Sequence, residues 1–250
     1  MAELPWSRRL AQPYAAGFTI TEVLVALAIS LLLSAGLIQV FLGVRQSYAV
    51  NEALARLQED GRFAIQHLAA IVALACHDND PSSSPEPSFG GTANPDRLLV
   101  GYEGVGPPDD AILFDCLGNQ VASGVVSMNE FSLDENGLVC TTSTGGNVPE
   151  VIVGDIEDWR VLYGVDSNAD GLPNRYSPAN GVSAGDWANV RAVRLSLLVR
   201  SAGEVAREPD TGAYRLLDRT VSAPGDRRLR GVFTATVKLR NAPCSPPGGS

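Results

Sequence analysis

Catalytic vocabulary is scarce in this chain of 250 residues. It has two histidines, His67 and His77, and no G-x-S-x-G, Walker loop or H-E-x-x-H. The usual frameworks for nucleophilic, phosphoryl-transfer and zinc-hydrolase chemistry are therefore absent, and no catalytic residues are expected. His67 sits inside a helical pattern and reads as an interface or surface histidine. His77, beside Asp78 and Asp80, reads as part of a helix end and turn. Trp159 and Trp187 read as core or edge aromatics. No C-x-x-C pair exists: Cys76, Cys116, Cys140 and Cys244 are spaced too widely for a paired zinc motif. No proline falls between Pro13 and Pro81, and no internal repeat is visible. Charge is missing as well. Residues 17 to 44 carry one charged side chain, Glu22, before Arg45.

That uncharged run, GFTITEVLVALAISLLLSAGLIQVFLGV, is what the chain is organised around. It is long enough to span a bilayer core of roughly 30 Å as one helix, at about 1.5 Å per residue. An acidic side chain inside such a helix costs a few kcal/mol on insertion scales and marks a functional position, so Glu22 needs a partner. A secretory signal would carry an apolar core of about 7 to 15 residues followed by a small-residue cut site. Here the run is about twice that length, and the small residues precede it.

The residues Gly17-Phe18-Thr-Ile-Thr-Glu22, behind the basic pair Arg8 and Arg9, resemble the N-terminal signal of type IV prepilins and type II secretion pseudopilins. The resemblance implies a leader of residues 1–17, cut by a prepilin peptidase after Gly17. It also implies N-methylation of the new amine on Phe18, and pairing of that ammonium with Glu22 of a neighbouring subunit during assembly. Such pairing removes an unmatched charge from an apolar bundle.

The helical pattern continues past Arg45. Val50, Leu54, Leu57, Gly61, Ala64, Leu68, Ile71 and Ala75 recur at spacings of three and four, with charged residues elsewhere on the wheel. Glu52 and Arg56 are placed for an i,i+4 pair. The spacing predicts one helix over about 18–76, roughly 85 Å long. Residues 18–44 form its membrane and assembly half and residues 45–76 its amphipathic half. Gly36 and Gly43 are candidate bending points or close-packing points.

A polar Pro/Ser/Gly-rich loop at 77–97 opens a β-rich domain of residues 77–250. Strands are expected at 98–102, 111–115, 120–133 with a break near Gly124, 138–142, 158–164, 190–200 and 232–240. The Asn136-Gly137 pair predicts a hairpin. The last two strands alternate, each with one buried and one mainly polar face. The expected fold is α+β: a long N-terminal helix packed on an antiparallel β-sheet domain, as in the pilins.

The formal charge is −9, and −10 once the leader, at +1 from Arg8, Arg9 and Glu3, is removed. An acidic body argues against general nucleic-acid binding. Arg227, Arg228 and Arg230 beside Asp226 read as a solvated loop. Four cysteines in an exported domain read as two disulfides. Of the three pairings, Cys116 with Cys140 and Cys76 with Cys244 are favoured. The first staples a local strand pair, and the second ties the C-terminal tail to the end of the helix.

Segments DCLGNQV (115–121), MNEFSLDENGLVC (128–140), VGDIEDWRVLYGVDSNADG (153–171), NVRAVRLSLLVRS (189–201) and RGVFTATVKLRNA (230–242) are similar to the PilW-type minor pilins. This implies a single-pass inner-membrane precursor with a periplasmic body, which then enters the pilus. It also implies a role in priming assembly in a tip complex. Implied partners are other minor pilins, the major pilin, the inner-membrane assembly platform and a PilY-type adhesin. A J-type pseudopilin of a type II secretion system is the neighbouring alternative. An uncleaved membrane-anchored binding module is a further one.

One stretch stands outside this reading. Asp166, Asn168 and Asp170, followed by Gly171, open like an oxygen-ligand calcium loop, and Asn174 offers another oxygen. The twelfth position is Ser177 instead of Glu, and no helices flank it. An Asx-rich turn is the simpler reading and calcium the alternative.

Overall fold

The computed structural model describes residues 17–78, 88–93, 96–105 and 113–244. Residues 1–16 of the expected 1–17 leader, most of the polar loop including Asp80, and the first two residues of the expected 111–115 strand lie outside the described residues. Helix α1 (Ile20–Leu74) is continuous through Gly36 and Gly43. Its charges are sparse and its first half is uniformly apolar. Among the described residues it is the one helix long and apolar enough to cross a membrane.

The chain divides into two compact units, through Tyr48 and from Ala49. In the first, the helical side chains are exposed on every face, as expected of a segment without protein neighbours. In the second, thirteen strands follow the helix among the described residues. They are β1 (Phe89–Ala93), β2 (Asp96–Glu103), β3 (Leu113–Phe114), β4 (Gln120–Val121), β5 (Val126–Asp134), β6 (Gly137–Thr142) and β7 (Glu150–Gly154), then β8 (Ile156–Val165), β9 (Arg175–Ser177), β10 (Val190–Glu204), β11 (Ala213–Leu216), β12 (Arg219–Ser222) and β13 (Arg228–Lys238). The strands form two main antiparallel sheets, in the orders β1-β2-β5-β6-β7 and β13-β10-β8-β9, with β3–β4 and β11–β12 as separate hairpins.

One core joins both sheets to the second half of α1. Leu57, Ala64, Leu68, Ile71, Val72 and Ala75 meet Leu98, Val100 and Phe131 of the first sheet and Trp159, Val161, Leu195 and Leu197 of the second. The helical spacing of three and four aims these residues at the sheets. Gly61 is required there, because a Cβ at this position would fall 2.3 Å from the Phe233 ring. Leu54 belongs to the same sequence stripe but is 42% exposed. At the far end, Cys76 in the left-handed region (φ 60) closes the helix.

The two-face reading of β10 is corrected. Leu198 and Ser196 were expected on a mainly polar face and are fully buried. The β11–β12 hairpin folds over that side, with β11 against β10 and β13, and Leu216 is itself buried. Short sequences with no Gly at the turn, AYRL and RTVS around Leu217-Asp218, gave no hairpin signal; Leu217 takes the left-handed turn conformation itself (φ 57). Strand β1 was hidden because FGGTA neither alternates nor favours strands. Its Gly91 is fixed by the Tyr163 hydroxyl, which an added Cβ would meet at 2.0 Å.

Ion pairs fasten the pieces. Arg160 on β8 donates to Asp96 at the start of β2 (3.0 Å) and to Asp218 in the β11–β12 turn (2.7 Å), linking both sheets and the hairpin. Arg219 adds contacts to Asp158 and to the Trp159 carbonyl. Burial pushes Asp96 upward while Arg160 pulls it back. The basic cluster is also corrected. Arg230 is not in a solvated loop, since its side chain has 0% exposure and bonds Glu157, Asp210 and Asp226.

The hydrogen bonds from Arg230 outweigh desolvation and hold Asp226 down to about 2, against an ordinary 3.8. A carboxylate depressed in the fold stabilises it above the unfolded pKa, and this is lost as pH falls through the folded one. The stability difference between wild type and Asp226→Asn should therefore be full above about pH 4 and vanish near pH 2. Urea titrations across that window test it; a difference that stays constant with pH would show that Asp226 does not titrate in this way.

Candidate functional site

The head of α1 is built from Gly17, Phe18, Thr19 and Glu22. Gly17 and Phe18 precede the helix, and Phe18 is 86% exposed. Thr19 is the N-cap. Its hydroxyl accepts the Glu22 N–H at 3.3 Å, while Glu22 Oε2 accepts the Thr19 N–H at 3.0 Å and the Thr19 hydroxyl at 2.9 Å. This is the reciprocal capping box, Thr-x-x-Glu, which satisfies two of the N–H groups a helix start leaves without partners. The negative carboxylate also lies at the positive end of the helix dipole.

Thr19 caps the helix, a role not expected from the sequence. Its signal was there in the spacing Thr19-x-x-Glu22 directly before an apolar run. Glu22 had been read only as the partner of another subunit, and its local role was missed.

Two disulfides support the body. Cys76 joins Cys244, closing the end of α1 onto the C-terminal residues, and Cys116 joins Cys140, fixing the turn between β3 and β4 to β6. Asp115 organises that turn by accepting the N–H groups of Leu117 and Asn119. His67 lies 2.9 Å from the Cys116 carbonyl, between Phe63 and Phe131, as an interface histidine. Desolvation lowers its pKa, against that hydrogen bond. His77 follows the helix end, its N–H bonded to the Leu74 carbonyl.

Asp166, Asn168 and Asp170 share one turn. Asp166 accepts the N–H groups of Asp170 (3.3 Å) and Gly171 (2.8 Å), Asn168 donates to Asp170 (3.0 Å), and Asn174 accepts the N–H of Ser167 (2.7 Å). Burial raises the Asp166 pKa, but the backbone N–H groups outweigh it and the net shift is downward. Arg191 approaches the same carboxylate at 3.6 Å. These oxygens are thus directed at hydrogens of the protein, in the manner of an Asx turn.

Comparison with known proteins finds two family models, one at the N-terminus and one over most of the body. The model described as "Prokaryotic N-terminal methylation motif" matches residues 13–38, and "Type IV Pilus-assembly protein W" matches residues 120–241. A solved type IV-like pilin from Thermus thermophilus is 19% identical; the match covers 75% of this chain and 98% of that one, with a TM-score of 0.48. No curated protein matches significantly. The methylation motif spans the capped head of the apolar helix and the second model spans β4 to β13, and together they support a type IV minor pilin of the PilW type.

Proposed function

We propose that this minor pilin helps to prime assembly of a type IV pilus, in a tip complex with other minor pilins. In this reading the precursor sits in the inner membrane with its body in the periplasm. A prepilin peptidase cuts after Gly17, Phe18 is N-methylated, and the assembly platform moves the helix into the filament. There it meets the major pilin, with a PilY-type adhesin at the tip. The observation that carries the reading is a single carboxylate, Glu22, held four residues beyond an exposed Phe18 at the head of a helix with no other charge before Arg45. Cleavage creates an ammonium group on Phe18. Pairing it with Glu22 of a neighbour removes both charges from an apolar bundle.

Intact mass and N-terminal sequencing, with and without active peptidase, test the processing. The expected mature chain begins at Phe18 and is one methyl group heavier; a chain still beginning at Met1 would exclude the pilin route and favour an anchored binding module. Co-purification with pilus components, as opposed to secretion components, separates the PilW reading from the pseudopilin one.

The capping box permits a sharper test of assembly. Glu22→Gln keeps a cap acceptor at the third helical position and removes the charge, whereas Glu22→Ala removes both. Both variants should lose co-assembly while the body melts as in wild type. If Glu22→Gln assembled at wild-type levels and Glu22→Ala did not, the cap would be the function of Glu22 and the ion pair would not.

A further inference from the structure

Among the described residues strand β13 forms one edge of the second sheet, paired only with β10. The other sheet edges are short. β9 has three residues, β1 and β7 five each, and β7 carries a register shift against β6. Short and irregular edges are how sheets avoid adding strands. β13 has eleven residues, RLRGVFTATVK, with no proline, and its one lysine is at the end. Its register with β10 is unbroken from Arg230 to Lys238.

The direction of its backbone groups follows from that register. The Leu239 N–H bonds the Arg191 carbonyl on β10, and strand backbone groups alternate sides. Phe233, Ala235 and Val237 therefore turn N–H and C=O toward β10. Val232, Thr234 and Thr236 turn theirs toward the open edge, where they have no backbone partner among the described residues. Beside that edge runs a groove of about 520 Å3 lined by Leu54, Leu57, Ile65 and Phe233, with Arg62 at its wall. This explains the exposure of Leu54, which the helical stripe had placed in the core. Arg62 has no ion pair among the described residues.

We infer that the β13 edge accepts an extended segment of a different protein, apolar on the side facing the groove and carrying a carboxylate for Arg62. A second copy of this chain is the wrong occupant. Antiparallel self-pairing about Thr234 would set Lys238 opposite Arg230 and Arg240 opposite Arg228, and would bring no new carboxylate from either strand. The free charge beside the edge is cationic on a body that is acidic overall, so the complementary segment is acidic. Main-chain bonds to the edge supply affinity, and the groove with Arg62 supplies selectivity. The inference rests on the geometry of the body alone and stands apart from the priming role.

The test uses the full chain in detergent and the peptide Val-Thr-Val-Thr-Glu-Thr, blocked at both ends, whose alternate residues Val, Val and Glu share one face. Binding should slow hydrogen exchange at the amides of Val232, Thr234 and Thr236. Thr236→Pro removes an outward N–H without touching the bonds to β10, so it should weaken binding by about tenfold and leave melting unchanged. Replacing Glu by Lys in the peptide should weaken binding to wild type, and Arg62→Glu should reverse that preference. Unchanged exchange, or equal binding by Thr236→Pro, would overturn the proposal. Concentration-dependent dimers that protect the same amides without peptide would overturn it in favour of a second copy. None of these readouts depends on pilus formation, so failure here is distinct from failure of the assembly role.

Discussion

Replacing Cys76 and Cys244 together by serine is expected to destabilise the body by about 5 kcal/mol, comparable with the whole stability of many domains. The bond closes a separation of 168 residues, so its loss frees the largest loop in the protein. Cys116–Cys140 closes a separation of 24, and the same loop-entropy relation assigns it about 3 kcal/mol. The ordering of the two double variants in urea midpoints at matched pH is the measurement. The sheets keep their hydrophobic contacts in either variant while the freed unfolded chain expands, so the slope of the unfolding free energy against urea should rise, more for the longer loop. An equal loss from both would show that strain or residual structure, and not loop closure, governs their contribution.

Arg160→Ala is expected to cost about 3–5 kcal/mol, because it leaves Asp96 without its nearest cation in a site from which water is excluded. Arg160→Met keeps the volume of the stem and should lose nearly as much, since the orphaned carboxylate and not the missing packing dominates. Adding Asp96→Asn to either variant removes the charge and should recover a large part of the loss. A double-mutant cycle in urea reads this coupling; additive losses would mean that Arg160 acts through its bond to Asp218 instead. Arg219, 3.7 Å from Asp96, limits the effect by remaining as a more distant cation.

The sequence made some parts legible because their causes are local. The three-four spacing from Leu57 to Ala75 displays the buried stripe of α1. The alternation in β10 and β13 displays their inward faces, and the uncharged run behind Gly17 displays the apolar helix. The parts that stayed hidden depend on residues far apart in the chain. Nothing near Arg160 announces Asp96 or Asp218, and nothing near Arg230 announces Glu157, so a run of arginines looked solvated when one of its members was locked inside a carboxylate cage. Leu198 looked like an exception on a polar face because the hairpin that covers it begins more than ten residues later. The site divided similarly. Glu22 was visible as an anomaly of charge, while its bond to Thr19 required a choice between a neighbour three residues away and one in another molecule.

The covalent link from Cys76 to Cys244 also sets how a subunit carries a load. Tension that enters along α1 and leaves through the C-terminal residues passes from one sulfur to the other and bypasses the 168-residue separation between them. The sheets lie outside that path and need not yield when it is pulled taut. In a reducing solution the same pull would run through every strand in turn. A single-molecule extension trace would then show the body unravelling, where the oxidised protein extends only outside the loop.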